Sequence, residues 1–193
     1  MSQQIKARKQ LDPAKTRASI LKAAFKLFAE RGYKGASIAD IARAAQVRKS
    51  LIQYHFGTKE ELWNACIESR AAPMIAAIDR MLAKSDPNIG ELLTTRFKFL
   101  RDNPEVRKLM GWASMGSIPV PPFLMEKRKQ LIGSFAGDMN PNQLARMLFA
   151  LSATDGWFHF RSLYAVVAGE EAKSPAVEEE FLKILAEVAP KHE

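Results

Sequence analysis

The feature that most constrains this fold is a pair of very short helical segments near the N-terminus that only a few residues separate. Ser37-Ile-Ala-Asp40 has the form of a capping box, with Asp in place of the usual Glu or Gln, and opens a helix of about ten residues. After a turn at Gln46-Val47, a second short helix runs from Arg48 to Phe56, and Gly57 ends it. With the helix before them, these segments predict a helix-turn-helix whose last helix lies in a DNA major groove.

The rest of the chain also has helical periodicity. Val and Ile never alternate with polar residues over the length of a strand, and Gly and Pro fall between helical patterns, so the sequence predicts an all-α fold. Asp12 and Pro13 are predicted to open the first helix, which ends at Gly32. A capping box at 58–61 opens a long fourth helix that Pro73 is expected to kink. Further helices are predicted over residues 92–101, 104–115, 123–135, 143–168 and 176–189.

The positive charge of the chain is concentrated at one end. Residues 1–60 carry 13 lysines and arginines against 4 acidic residues, whereas the rest of the chain carries 16 against 17. A small polyanion-binding module joined to a nearly neutral domain produces this asymmetry. We therefore predict a flexible basic arm over residues 1–11, a DNA-binding domain over 12–57, and a helical effector-binding and dimerisation domain over 58–193.

Several classes of protein are not expected from this sequence. The long apolar stretch from Leu144 to Val167 contains charged residues, so it does not predict a membrane span, and the N-terminus has no pattern of a signal peptide. A cytoplasmic location is therefore expected. Cys66 is the only cysteine and the three histidines are scattered, which predicts neither a disulfide nor a metal site. No cofactor and no enzymatic activity are expected, because no known catalytic motif or phosphate-binding glycine loop occurs.

The N-terminal third resembles the TetR family of regulators. The resemblance covers about residues 13–63 and rests on more than ten positions in register. The chain departs from the family pattern at Gln46, where Gly is usual, and at Gln53, where Tyr is usual, while Arg48 and Ser50 replace commoner Ser and Gly. The positions on which the resemblance rests are Thr16 to Gly32, Tyr33, Ser37, Ile41, Ala42, Ala45, Val47, His55, Phe56, Lys59, Glu60 and Leu62.

The resemblance implies binding to a double-stranded DNA operator. It implies that His55 touches a backbone phosphate and that Lys59 does the same, with help from free backbone N–H groups. A plainer role for His55 is a favourable interaction with the helix dipole. Val47, Ile52 and Phe56 are expected to form the buried side of the recognition helix. The predicted DNA-binding residues are Ser37, Arg48, Lys49, Ser50, Gln53, Tyr54, His55 and Lys59, and basic residues at 6, 8, 9, 15 and 17 are expected either to contact phosphates or to have no such role.

The C-terminal aromatic and methionine residues suggest either a core or a pocket for a small-molecule effector. The predicted effector-binding residues are Phe97, Arg101, Trp112, Met115, Met147, Leu151, Asp155, Phe158 and His159. The segment 143–168 is apolar almost all round, and a helix of that kind is expected to be buried on every side. The predicted homodimer interface comprises Gly156, Trp157, Phe160, Leu163, Val177, Phe181 and Leu185. The sequence thus predicts a DNA-binding regulator, and proteins of this kind are usually repressors that an effector releases from DNA. The alternative is an effector-independent DNA-associated structural protein on the same fold.

Overall fold

The computed structural model describes residues 12–84, 88–114, 120–135 and 139–190, and every regular element in these ranges is helical, which confirms the predicted all-α class. Residues 6, 8, 9 and 115, to which the sequence assigned roles, lie outside the described part. The helices are α1 (Pro13–Gly35), α2 (Ile38–Ala44), α3 (Lys49–Phe56), α4 (Lys59–Leu82), α5 (Ile89–Asp102), α6 (Pro104–Ser114), α7 (Pro122–Phe135), α8 (Pro141–Ala168) and α9 (Pro175–Val188), with a 3-10 turn at Glu170–Lys173.

The chain divides into two compact units. The N-terminal unit comprises the described residues within Met1–Ser69 and Gly111–Pro119, and the C-terminal unit comprises those within Arg70–Met110 and Val120–Glu193. The N-terminal unit thus includes the first turns of α4 as well as α1 to α3. The functional domain limits predicted at residues 12–57 and 58–193 stay a prediction.

Side chains cap the helices of the N-terminal unit largely as the sequence predicts. The Asp12 carboxylate accepts a hydrogen bond from the Ala14 backbone N–H at 3.0 Å, with Pro13 in the first turn of α1. At the start of α4, the Glu61 N–H donates to the Thr58 hydroxyl at 3.1 Å, and the Thr58 N–H donates to the Glu61 carboxylate at 2.7 Å. These reciprocal bonds complete the predicted capping box, so the first turn of α4 is firmly fixed.

The turn between α2 and α3 holds a strained residue. Gln46 has φ 56°, in the left-handed region, and is the only non-glycine residue with positive φ in the described ranges. The Gln46 N–H donates to the Arg43 carbonyl at 3.2 Å, and the Val47 N–H donates to the Ala42 carbonyl at 3.0 Å. These bonds hold the chain in the sharp turn that separates the two helices, at a cost of about 1 kcal/mol relative to glycine.

Replacing Gln46 with glycine is therefore expected to stabilise the protein by about 1 kcal/mol, because glycine adopts this φ without the steric clash of a Cβ. Lys22→Gly, at an exposed position inside α1, is the matched control and is expected to destabilise by about the same amount. Urea unfolding of the two variants measures both effects. A loss of stability in Gln46→Gly would contradict the strain argument.

The core of the N-terminal unit consists of residues from α1 to α4 that are almost fully buried. The rings of Phe28 and Trp63 meet edge to face at 5.1 Å, and they join the start of α4 to α1. Cys66 is also buried, and its thiol lies 3.7 Å from the Leu21 carbonyl. Further members of this core are Ile20, Ala24, Ile41, Ile52 and Leu62. The short helices α2 and α3 are therefore held by tertiary packing rather than by their own length.

The core of the C-terminal unit lies among α5, α8 and α9. Phe97 is fully buried and its ring lies 6.0 Å from that of Trp157, 4.8 Å from Phe158 and 5.5 Å from Phe181. The Glu178 carboxylate bridges Arg101 on α5 and Arg161 on α8, so an ion pair network reinforces the aromatic contacts. Helix α5 begins at Ile89 rather than at the predicted residue 92, because the Asn88 side chain caps it by accepting from the Glu91 N–H at 3.0 Å.

Helix α8 differs from its predicted environment. The sequence predicts burial on every side, but Leu148, Phe149, Phe160 and Leu163 are each more than half exposed in the single chain. The prediction is wrong for one chain because only one side of α8 packs on the core of its unit. The other side is an apolar surface that a monomeric protein rarely leaves open to water.

Candidate nucleic-acid interface

Helix α3 has one buried side and one exposed side. Ile52 and Phe56 are buried at 0% and 8% exposure, as predicted. The exposed side contains Arg48, Lys49, Ser50, Gln53 and Tyr54, and the Tyr54 ring is 82% exposed. The structure therefore brings five predicted DNA-binding residues together on one side of a helix that contains no acidic residue.

His55 lies at the edge of this surface, in the last turn of α3. Its side chain is half-buried, with its ring 5.2 Å from that of Tyr54 and 6.2 Å from that of Phe56. A histidine there is favourably placed near the negative end of the helix dipole. Both predicted roles for His55, dipole interaction and phosphate contact, remain compatible with this position.

Ser37 occupies the N-cap of α2 and is already engaged within the protein. Its hydroxyl accepts from the Asp40 N–H at 3.1 Å and donates to the Asp40 carboxylate at 2.7 Å. This hydrogen bond, together with the charges of Arg43 and Arg31, holds the pKa of Asp40 below its ordinary value. Ser37 thus has a structural role, and a contact from Ser37 to DNA stays a prediction.

Two cations beside α3 lie over aromatic rings. The Lys59 ammonium, at the first residue of α4, is 4.5 Å from the centre of the Tyr33 ring. The Arg17 guanidinium on α1 is 5.0 Å from the centre of the Phe56 ring. Sequence reasoning missed both contacts, because they join residues far apart in the chain. Each ring attracts its cation and restricts where the charge can lie.

The predicted effector-binding residues are distributed over both units of the chain. Trp112 belongs to the N-terminal unit, where its ring packs on Gly32; a Cβ on that glycine would lie 3.3 Å from the ring. Phe97, Leu151 and Phe158 pack in the core of the C-terminal unit, and Met147 is half-buried. A single effector pocket lined by this set of residues stays a prediction.

The polar members of that set have partners within the protein. Arg101 pairs with Asp102 at 2.8 Å and with Glu178 at 3.2 Å. Asp155 pairs with Arg96 at 2.6 Å, and the Asp155 backbone carbonyl lies 2.8 Å from Nδ1 of His159. Roles for these residues in effector binding stay predictions.

A cleft of about 260 Å³ lies elsewhere in the C-terminal unit, beside α4 and α5. Two of its lining residues, Lys84 and Glu91, form an ion pair with a shortest distance of 2.6 Å. None of the predicted effector-binding residues lines it; the lining residues are Ala77, Arg80, Met81, Lys84, Glu91, Leu92 and Thr95.

The predicted dimer interface separates into core and surface residues. Trp157 and Leu185 are buried at 7% and 3% exposure, and the partly buried Phe181 ring packs 4.3 Å from that of Trp157, so these side chains pack in the core of their own chain. The correction follows from the position of α9, which packs on α5 and α8 of the same chain through residues that include Phe181 and Leu185. Phe160, Leu163 and Val177 are exposed. Gly156 lies on the same side of α8 as Phe160.

Comparison with known proteins identifies the N-terminal unit. Residues 20–66 match the model of the family described as bacterial regulatory proteins, tetR family. The biofilm operon icaADBC HTH-type negative transcriptional regulator IcaR of Staphylococcus epidermidis is 31% identical over 102 residues, which are 52% of this chain and 53% of that protein. The HTH-type transcriptional repressor AcnR of Corynebacterium efficiens is 34% identical over 107 residues, 49% of this chain and 56% of that protein.

The chain spans about half the length of these curated relatives. The fold is similar over a longer range: a TetR-like transcriptional regulator from Rhodococcus superposes with a TM-score of 0.60 at 18% identity, covering 93% of this chain and 96% of that one. No helix in the described ranges is long and apolar enough to cross a membrane. The helix-turn-helix formed by α2 and α3 therefore matches the tetR family of bacterial regulatory proteins, over residues 20–66 of this chain.

Proposed function

We propose that this protein is a sequence-specific, DNA-binding transcriptional regulator that acts as a homodimer, and that it is a repressor released from its operator by a small-molecule effector. The observation that carries the proposal is the exposed side of α3. Arg48, Lys49, Gln53 and Tyr54 are exposed there, while Ile52 and Phe56 on the opposite side are buried. Arginine and lysine donate to guanine and glutamine pairs with adenine in the major groove. The relatives IcaR and AcnR are named as a negative regulator and a repressor.

The exposed side of α8 supports the homodimer. A Cβ added to Gly156 would meet only Phe160 and Tyr164 of the same helix within 4 Å, so another helix can approach closely there. A two-fold axis through this surface would bury the apolar side chains of both copies. A dimer also presents two copies of α3, as recognition of two half-sites requires.

Helix α4 supports release by an effector. It is continuous from Lys59 to Leu82 and passes through Pro73 without interruption. Ala77, Arg80 and Met81 of this helix line the cleft described above, while its first turn carries the predicted phosphate contact. A ligand that displaced the end of α4 would alter the spacing of the two copies of α3, and DNA affinity depends on that spacing.

Alanine substitutions are expected to separate two kinds of DNA contact. His55→Ala and Lys59→Ala should weaken binding to operator and random duplex alike, because phosphate contacts carry no sequence information. Each should also reduce the slope of log affinity against log salt concentration by up to about one unit. Arg48→Ala, Lys49→Ala or Gln53→Ala should instead cost about 1–3 kcal/mol on the operator wherever the residue makes a bidentate base contact, with far less loss on random DNA. Fluorescence anisotropy at several salt concentrations measures both effects.

Gln53 is the most informative position in this series, because its amide N–H can donate to adenine N7 while its amide oxygen accepts from the adenine N6 amino group. For the variants of Arg48, Lys49 and Lys59, Lys26→Ala on the exposed side of α1 is the matched control for loss of a positive charge. We expect the motif selected from random DNA by Gln53→Ala to change at one position. An unchanged motif with evenly reduced affinity would make Gln53 a phosphate contact and contradict this assignment.

Effector release has its own test. Thermal melting of the purified protein in a metabolite screen is expected to reveal a ligand that raises the melting temperature and lowers operator affinity. A ligand that stabilises the protein without changing operator affinity would contradict release. Operator binding that no metabolite alters would favour the effector-independent alternative.

A further inference from the structure

Lys59 occupies a position that helix stability does not explain. It is the first residue of α4, at the positive end of the helix dipole, where an ammonium group is disfavoured. Glu61, in the same turn, is joined to Thr58 by three hydrogen bonds that cap the helix. The Lys59 ammonium is instead stabilised by a cation–π contact with the face of the Tyr33 ring, whose centre lies 4.5 Å from Nζ.

The Tyr33 ring is itself fixed by the core. It stacks on the buried Phe28 ring at 6.0 Å and meets the buried Trp63 ring edge to face at 5.8 Å. Burial and the nearby Glu60 carboxylate raise the pKa of the Tyr33 phenol, so the ring remains neutral at physiological pH. Two buried aromatic side chains therefore hold the ring that faces the ammonium.

We propose that Tyr33 is a positioning residue for DNA binding, which holds the Lys59 ammonium ready for a backbone phosphate; this inference rests on the proposed function. A free lysine side chain has four rotatable bonds and loses much rotamer freedom when it binds a phosphate. The ring restricts that freedom in advance. It makes no conventional hydrogen bond, so the N–H donors of the ammonium remain available to phosphate oxygens.

A double-mutant cycle on random-sequence duplex DNA tests the proposal. Tyr33→Leu removes the ring and is expected to weaken binding about two- to fivefold, the range for a cation–π contact at a partly exposed site. Tyr33→Phe keeps the ring and is expected to bind within about twofold of the original protein. In a Lys59→Met background, Tyr33→Leu should cause no further loss, whereas in a Lys49→Met background it should cause its full loss.

Equal losses from Tyr33→Leu in both backgrounds, or a loss in Tyr33→Phe as large as in Tyr33→Leu, would show a merely structural role and overturn the proposal. A second measurement does not depend on DNA. The Lys59 side-chain methylene protons nearest the ring should show an upfield ring-current shift in NMR spectra that Tyr33→Leu abolishes, and their absence from the upfield region would also overturn it. Failure of the unmodified protein to bind duplex DNA would overturn the proposed function itself, whereas binding without coupling between residues 33 and 59 overturns this inference alone.

Discussion

Replacing Leu163 with glutamate is expected to convert the proposed homodimer into monomers. Leu163 lies on the outer side of α8, 55% exposed in the single chain, and in the proposed dimer a partner helix covers it. The two-fold axis places the new carboxylate in the interface twice, and burying an unpaired charge is costly. We expect the dissociation constant of the dimer to rise roughly a thousandfold. Phe160→Glu, at 53% exposure on the same side, should act alike.

Sedimentation velocity over a range of concentrations measures this change. Met125→Glu is the matched control, since Met125 is an exposed apolar residue of α7, at 44% exposure. It is expected to remain dimeric. Operator affinity should fall in the α8 variants, because a monomer contacts a single half-site. An unchanged dimer in both α8 variants would place the interface elsewhere.

Replacing Phe97 with alanine is expected to have the second large effect, a loss of about 3–5 kcal/mol in the free energy of unfolding. Phe97 has no exposed surface, and its ring contacts those of Trp157, Phe158 and Phe181, so its removal leaves a cavity where α5, α8 and α9 meet. The melting temperature should fall by roughly 10 °C. Lys98→Ala, at the next and exposed position of α5, should change stability by less than about 0.5 kcal/mol.

Calorimetry and urea unfolding measure the loss. A decrease below about 1 kcal/mol for Phe97→Ala would contradict the assignment of Phe97 to the core. That result would also revive Phe97 as a pocket residue, since a side chain that lines an empty cavity contributes few packing contacts.

The sequence predicted the N-terminal unit closely because local rules decide it. Asp12, Thr58 and Glu61 cap their helices as predicted, since capping depends on side chains within three residues of the bond they make. The short spacing around Gln46 predicted the turn, and the residue adopts the left-handed conformation that the turn requires. The exposed side of α3 followed from the helical spacing of Ile52 and Phe56.

The C-terminal unit was harder to predict because periodicity identifies an apolar stripe without identifying what covers it. The stripe that includes Phe181 and Leu185 was assigned to a partner chain, but α5 and α8 of the same chain cover it. Trp112 was assigned to an effector pocket, whereas it packs on Gly32, about eighty residues earlier. The contact between Tyr33 and Lys59 is equally non-local. Each of these depends on tertiary packing between residues distant in the chain.

Binding-site selection from genomic fragments with the purified protein tests most directly whether the exposed side of α3 reads DNA sequence. We predict enrichment of a two-fold symmetric motif whose half-sites are one helical turn, or a multiple of it, apart. The triple variant Arg48→Ala, Lys49→Ala, Gln53→Ala should lose that enrichment while retaining weak, salt-sensitive binding to random duplex DNA. No enrichment at any salt concentration, or the same motif selected by the triple variant, would contradict the account.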